Sequence, residues 1–113
     1  MKCTVLTLFP ELFKNFLKES IIGRAIRAKK VKIDLVNIRD FAKNKHKKVD
    51  DTPFGGGEGM VMQCQPIFSA IEAIKETRKR GNEERRVIYL SPAGKKFTQR
   101  TAERLGKYDE LIL

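Results

Sequence analysis

The sequence predicts an α/β domain built on an open, mainly parallel sheet with helices on both faces. Two observations carry that reading: strand-like apolar segments alternate with helical periods along the chain, and glycine or proline punctuates the joins. The length of 113 residues suits one domain or part of one, not two. Hydrophobic residues at 41% and charged residues at 34% supply a core and a densely charged surface, unlike a disordered tail.

Residues 2–9 alternate small or β-branched residues with Leu and Phe, a buried-strand pattern that Pro10 ends by removing a backbone donor. Glu11 opens a helix in which Leu12, Phe13, Phe16 and Leu17 recur at three- and four-residue spacing, and Ser20 is placed to cap a second helix, IIGRAIRA. VKIDLVNI reads as a second strand running into a covered sheet. Residues 42–59 lack an apolar period and form the one long irregular segment, with four lysines, two aspartates, a proline and four glycines. Pro66 starts a helix running to about Arg80, with Ile67, Ala70, Ile71 and Ile74 as its buried stripe and Gly81 and Asn82 as its stop. RVIYLS is a buried strand, SPAG the turn after it, Thr98 to Lys107 a helix with Ala102 and Leu105 inward, and LIL the start of a further strand. In such an alternation ligands sit beyond the carboxyl ends of the strands.

A net charge of +10 favours polyanionic partners, nucleic acid ahead of lipid, because no helix sets a strongly apolar face against a purely basic one. No apolar run approaches the ~18–20 residues needed to span a bilayer, so a cytoplasmic protein without a membrane partner is expected. Cys3 and Cys64 lie in apolar stretches without CxxC spacing and read as reduced core residues. His46 is the single histidine, which argues against both a zinc site and a Ser-His-Asp triad; no metal is expected.

Three segments stand out as sites. Gly55, Gly56, Gly57 and Gly59 cost backbone entropy unless that backbone is needed, either as a plain flexible loop or as a loop closing on a flat ligand. Met60, Val61 and Met62 follow where a Walker loop or a dinucleotide fingerprint would need other residues, so a nucleoside triphosphate is not favoured. Tyr89 to Gly94, at the end of the most apolar strand, is either a simple turn or the ligand edge of the sheet. Lys43, Lys45, Lys47 and Lys48 surround His46 and precede Asp50 and Asp51, a run that reads as a solvated face or as a nucleic-acid contact. Spacing alone gives the aspartates no catalytic role.

These residues also carry a family resemblance. TLFPELF, SIIGRAI, IRDF, VDDTPFGGGEGMVM with QP following, and VIYLSPAGKKF together resemble the N-terminal half of the bacterial tRNA (guanine-N1)-methyltransferase family, which methylates the guanosine immediately 3′ of the anticodon. The most specific element is Asp-Asp-x-Pro-aromatic-Gly-Gly-Gly-x-Gly-Met at Asp50 to Met60. The resemblance implies the knotted (SPOUT) α/β methyltransferase fold, S-adenosylmethionine as donor, tRNA as substrate and a homodimer of the full-length protein. It implies a donor pocket bordered by Tyr89, Leu90, Ser91, Pro92 and Gly94. It places Gly55, Gly56, Gly57, Gly59 and Met60 beside the cofactor and the target base, with Asp50 also substrate-binding, and Arg24, Lys45 and His46 fall to the tRNA surface with the basic run.

The family's general base, knot and C-terminal tRNA-gripping domain are expected downstream of Leu113. Residues 1–113 are thus expected to be a truncated methyltransferase domain with no catalytic residue of its own, inactive in isolation and left with an unpaired sheet edge. The alternative is a non-catalytic basic RNA-binding or dimerisation module of the same fold.

Overall fold

A computed structural model describes residues 1–77 and 83–113. Its main sheet has four parallel strands in the order β2-β1-β6-β5. Strand β1 (Lys2–Thr7) pairs with β2 (Lys32–Asn37) from Lys2↔Lys32 to Thr7↔Asn37, and on its other side with β6 (Glu110–Ile112). Strand β5 (Arg85–Val87) completes the sheet beside β6. All of β6 is buried, so the last strand lies inside the sheet, and the expected unpaired edge at Leu113 does not arise. Leu113 instead donates to the Thr4 carbonyl at 2.9 Å and accepts from the Leu6 N–H at 2.8 Å.

Charge is buried at the middle of this sheet. Glu110, 2% exposed, holds the Arg85 guanidinium at Oε2 and accepts from the Thr4 hydroxyl at 3.4 Å, linking β1, β6 and β5 through one side chain.

Helix α1 (Glu11–Phe16) opens at Glu11 as expected, with Pro10 at its N-cap, and carries a Lys14–Glu11 ion pair, but it fully buries no residue; Leu12 and Phe16 stand exposed. Helix α2 (Ser20–Arg27) follows a tight reversal in which Gly23 donates to the Glu19 carbonyl at 2.8 Å. That reversal holds Ser20 at φ +52° as the first helical residue, so Glu19 occupies the N-cap position and the expected serine cap does not form.

After β2, Asn37 accepts from the Arg39 N–H and starts a short 3₁₀ helix, Ile38–Phe41. Ile38, Ala42 and Val49 form a buried cluster against which Leu6, Leu8 and Ile67 pack. Val49 therefore pins the chain just before the glycine loop. The segment expected to be wholly irregular is partly ordered: β3 (Asp50–Asp51) pairs antiparallel with β4 (Val61–Met62), because backbone groups next to a pinned residue need partners.

Helix α3 (Cys64–Glu76) begins two residues before Pro66, which the first turn tolerates because its N–H has no intrahelical partner there. Ala70 and Ile74 are buried and Ile67 and Ile71 half-buried, matching the expected stripe, whereas Cys64 is exposed at the helix start and is not a core residue. The expected helix end at Arg80, Gly81 and Asn82 lies outside the described residues. Helix α4 (Gln99–Leu105) is capped by Thr98, whose hydroxyl accepts from the Thr101 N–H.

The alternation of β6 separates the two faces. Ile112 shares a hollow with Ile67 and Ile71 of α3, and Leu111 shares another with Ala102 and Leu105 of α4, so one helix attends each face of the sheet.

Candidate functional site

Four parallel strands bring their carboxyl ends to one edge of the sheet, and that edge carries the segment Val87 to Gly94. The expectation of a buried strand over residues 86–91 is corrected here. The ladder with β6 runs from Arg85↔Glu110 to Val87↔Ile112, with one further bond from the Ile88 N–H to the Ile112 carbonyl at 2.8 Å. Tyr89 is 85% exposed and Leu90 76%. Two large apolar side chains thus follow a sheet edge directly into solvent.

The turn that follows is closed by the Gly94 N–H donating to the Ser91 carbonyl at 2.9 Å, and the Ser91 hydroxyl accepts from the Ala93 N–H at 3.2 Å. A Cβ on Gly94 would stand 3.0 Å from the Ser91 carbonyl oxygen, so a larger residue here would press on that carbonyl and loosen the turn. The turn divides two hollows. On the α3 side a largely apolar one of about 420 Å³ is lined by Leu6, Ile38, Ile71, Tyr89 and Leu90; on the α4 side one of about 580 Å³ takes in Tyr89, Ser91, Gly94 and Phe97. Both volumes fall in the ~300–1,000 Å³ range of small-molecule sites.

The hairpin between β3 and β4 presents the glycine loop. Gly55, Gly56, Gly57 and Gly59 all adopt positive φ, from +79° to +117°, which a side chain resists. Yet a Cβ at any of the four would meet nothing within 4 Å. The conformation demands glycine while the space around it is open, so nothing in this chain explains close approach. Met60 and Phe54 are exposed on the same loop, and Asp50 is half-buried at its base. Met62 also lines the α3-side hollow, which places the foot of this hairpin at the strand-end edge.

Two glutamines, Gln65 legible in the sequence only as part of the family motif and Gln63 with no role assigned there, hold the hairpin. Gln65 donates to the Phe41 carbonyl at 2.8 Å and to the Ser69 hydroxyl at 2.9 Å, and accepts from the Lys43 N–H. Gln63 ties its backbone N–H to the Val49 carbonyl at 2.7 Å and its side chain to the Asp50 carbonyl. Their one sequence signal is position, next to Cys64 and Pro66 at the start of α3.

The basic run is a closed loop. The Asn44 side chain both donates to the Lys48 carbonyl and accepts from the Lys48 N–H, each at 2.7 Å, while Lys47 turns its ammonium onto the Ala42 carbonyl at 3.2 Å. Lys47 therefore shapes the loop, and Lys43, Lys45, His46 and Lys48 remain exposed on it. Arg24 is exposed on α2, and its side chain has no hydrogen-bond or ion-pair partner among the described residues. Burial raises the pKa of the Cys3 thiol, partly offset by the nearby amino terminus, which suits an inert residue better than a nucleophile. No group of His, Cys, Asp and Glu able to hold a metal occurs among the described residues.

A family model described as tRNA (Guanine-1)-methyltransferase TrmD matches residues 1–113, the whole chain. The chain belongs to this family. Among curated relatives, a tRNA (guanine-N(1)-)-methyltransferase of Ruminiclostridium cellulolyticum is 57% identical over 114 residues, covering 100% of this chain and 47% of the relative. The Alkaliphilus oremlandii protein of the same name is 58% identical over 111 residues, covering 96% and 45%. The crystal structure of tRNA (m1G37) methyltransferase from Aquifex aeolicus superposes with a TM-score of 0.83 at 29% identity, over 99% of this chain and 49% of that one. The chain thus spans about half the length of the relatives it matches and has the fold of the N-terminal half of this knotted methyltransferase family.

Proposed function

We propose that residues 1–113 form the N-terminal part of the methyltransferase domain of an S-adenosylmethionine-dependent enzyme that methylates N1 of the guanosine 3′ of the tRNA anticodon. One observation carries the assignment to this chain's own residues: the segment Tyr89–Gly94 leaves the sheet at its carboxyl edge, exposed, between two hollows of small-molecule size. Such an edge offers unpaired peptide groups and apolar side chains but no phosphate cradle, which fits an adenosine moiety and a sulfonium. When bound, the donor supplies an activated methyl group that needs only an aligned acceptor.

Tyr89, Leu90, Ser91, Pro92 and Gly94 border the donor in this reading, with Gly94 keeping the turn tight. Gly55, Gly56, Gly57, Gly59 and Met60 form the loop that closes over the target base, and Asp50 anchors its foot. Arg24, Lys45 and His46 meet tRNA phosphates. The base that removes the guanine proton is not among these residues, so the isolated chain does not turn over. A homodimer of the full-length protein accords with the exposed Phe9, Leu12, Phe16 and Ile21 around α1 and α2. No described helix is long and apolar enough to cross a membrane, and a cytoplasmic site of action accords with a tRNA substrate.

The test is methylation of a tRNA bearing guanosine after the anticodon by the full-length protein, with the methyl group labelled and its position mapped. Label in N1-methylguanosine at that position is expected. Label at another base, or none, overturns the reading, and the basic RNA-binding module then becomes the better account.

A further inference from the structure

We propose that the groove along α4 is a second RNA surface, one that takes the phosphodiester backbone; the proposal rests on the tRNA reading above and adds a contact to it. Lys95, Lys96, Arg100, Arg104 and Lys107 line a single concavity of about 600 Å³, together with Thr98, Thr101 and Glu103. All five cations are exposed, and none forms an ion pair or donates a side-chain hydrogen bond among the described residues. The single acid in the groove, Glu103, already accepts from the Gln99 amide.

The arrangement follows from helical spacing. Arg100 and Arg104 are one turn apart on α4, and Lys107 continues their line in the turn after the helix, where its N–H donates to the Arg104 carbonyl. Like charges four residues apart destabilise a helix, and no ion pair among the described residues offsets them. A polyanion lying along the stripe would. The groove shares Lys95, Lys96, Thr101 and Arg104 with the α4-side hollow that Tyr89, Ser91 and Gly94 line, so a backbone held here passes next to the strand-end edge. This surface lies far along the chain from the 43–48 run.

The fit is to phosphates rather than to an apolar partner, because long cationic stems with two hydroxyls offer charge and hydrogen-bond donors. The experiment titrates tRNA onto the full-length protein between roughly 50 and 200 mM salt, comparing wild type with Arg100→Ala/Arg104→Ala/Lys107→Ala. The slope of log affinity against log salt should become shallower by about two to three, and affinity at the low-salt end should fall by about tenfold or more. Glu103→Gln should tighten binding. If the triple variant melts early, Lys95→Gln/Lys96→Gln, which precedes the helix, reads the same slope. An unchanged slope in a folded variant overturns the α4 surface and leaves the tRNA reading standing; wild type that fails to bind tRNA overturns both. Polyglutamate binding wild type with the tRNA slope, and losing it in the triple variant, would mark an acidic-protein site and overturn the RNA assignment.

Discussion

Replacing Gly59 with valine in the full-length protein separates a loop that binds from a loop that merely connects. Gly59 sits at φ +90°, where an L-residue costs ~1–2 kcal/mol and a β-branched one falls at the upper end. No packing penalty adds to this, since a Cβ there meets no atom within 4 Å. Against a stability of ~5–15 kcal/mol such a loss leaves the protein almost wholly folded and lowers the melting temperature by about 2–8 °C. Destabilisation alone therefore leaves turnover nearly intact. If the loop closes on the target base, the valine side chain enters the space the base needs, and a displacement of ~1 Å costs about a hundredfold in rate. The assay pairs thermal melting with single-turnover methylation of tRNA. Gly59→Asn is the control, because asparagine tolerates positive φ yet keeps the bulk, so it should restore stability without restoring rate. Near-normal turnover in Gly59→Val would refute the closing loop and leave the four glycines as a flexible connection.

Three further outcomes are expected of the same protein. Glu110→Ala leaves the Arg85 guanidinium without its buried carboxylate and should cost ~3–5 kcal/mol in urea unfolding, whereas a shift below ~1 kcal/mol would mean that water reaches the pair. Gly23→Ala would drive a Cβ to 2.1 Å from the Lys18 carbonyl oxygen, so the α1–α2 reversal must open at a cost of ~1–3 kcal/mol; an unchanged melting temperature would show that the reversal moves freely. Iodoacetamide at pH 8 should modify exposed Cys64 first. Cys3, whose folded pKa lies above the ordinary 9.0, holds less thiolate there and should react faster as pH rises through that raised value; equal rates at pH 8, followed by peptide mapping, would contradict the burial of Cys3.

The parts of this fold that were legible in the sequence are those with enough residues to show a period. Strand β1 alternates until Pro10 stops it, and α3 repeats its apolar stripe from Ile67 to Ile74. Two-residue strands have no period, so the β3–β4 hairpin was invisible. Strand β5 misled in the opposite direction: RVIYLS has the composition of a buried strand, but its ladder with β6 ends at Val87 and Tyr89 and Leu90 stand exposed, which no local pattern records. The same holds for the insertion of β6 between β1 and β5. At the site, the glycines and the strand-end turn announced themselves by residue type, and their roles came from the family resemblance. Gln63 and Gln65 did not, because a side chain that bonds to backbone carbonyls leaves no trace in hydropathy. Lys47 shows the limit of reading charge as function, since its ammonium serves the Ala42 carbonyl.

The surfaces that remain divide by physics as well as by place. The hollow under Tyr89 and Leu90 is walled by Leu6, Ile38, Ile71 and Ile112, and a ligand there would be held chiefly by the removal of apolar area from water, which salt screens little. If the exposed lysines of the 43–48 loop and the stripe on α4 bind RNA as proposed, they act through counterion release, which weakens steeply as salt rises. A partner that must lie on both cationic surfaces and also reach the apolar edge is a long polyanion with a flat, uncharged unit to present, which describes an RNA backbone and its base. The glycine loop is the remaining piece: it is left-handed at four positions, and a Cβ at any of them would meet nothing within 4 Å. If the loop closes on the target base as proposed, its effect belongs in turnover rather than in the salt-sensitive encounter.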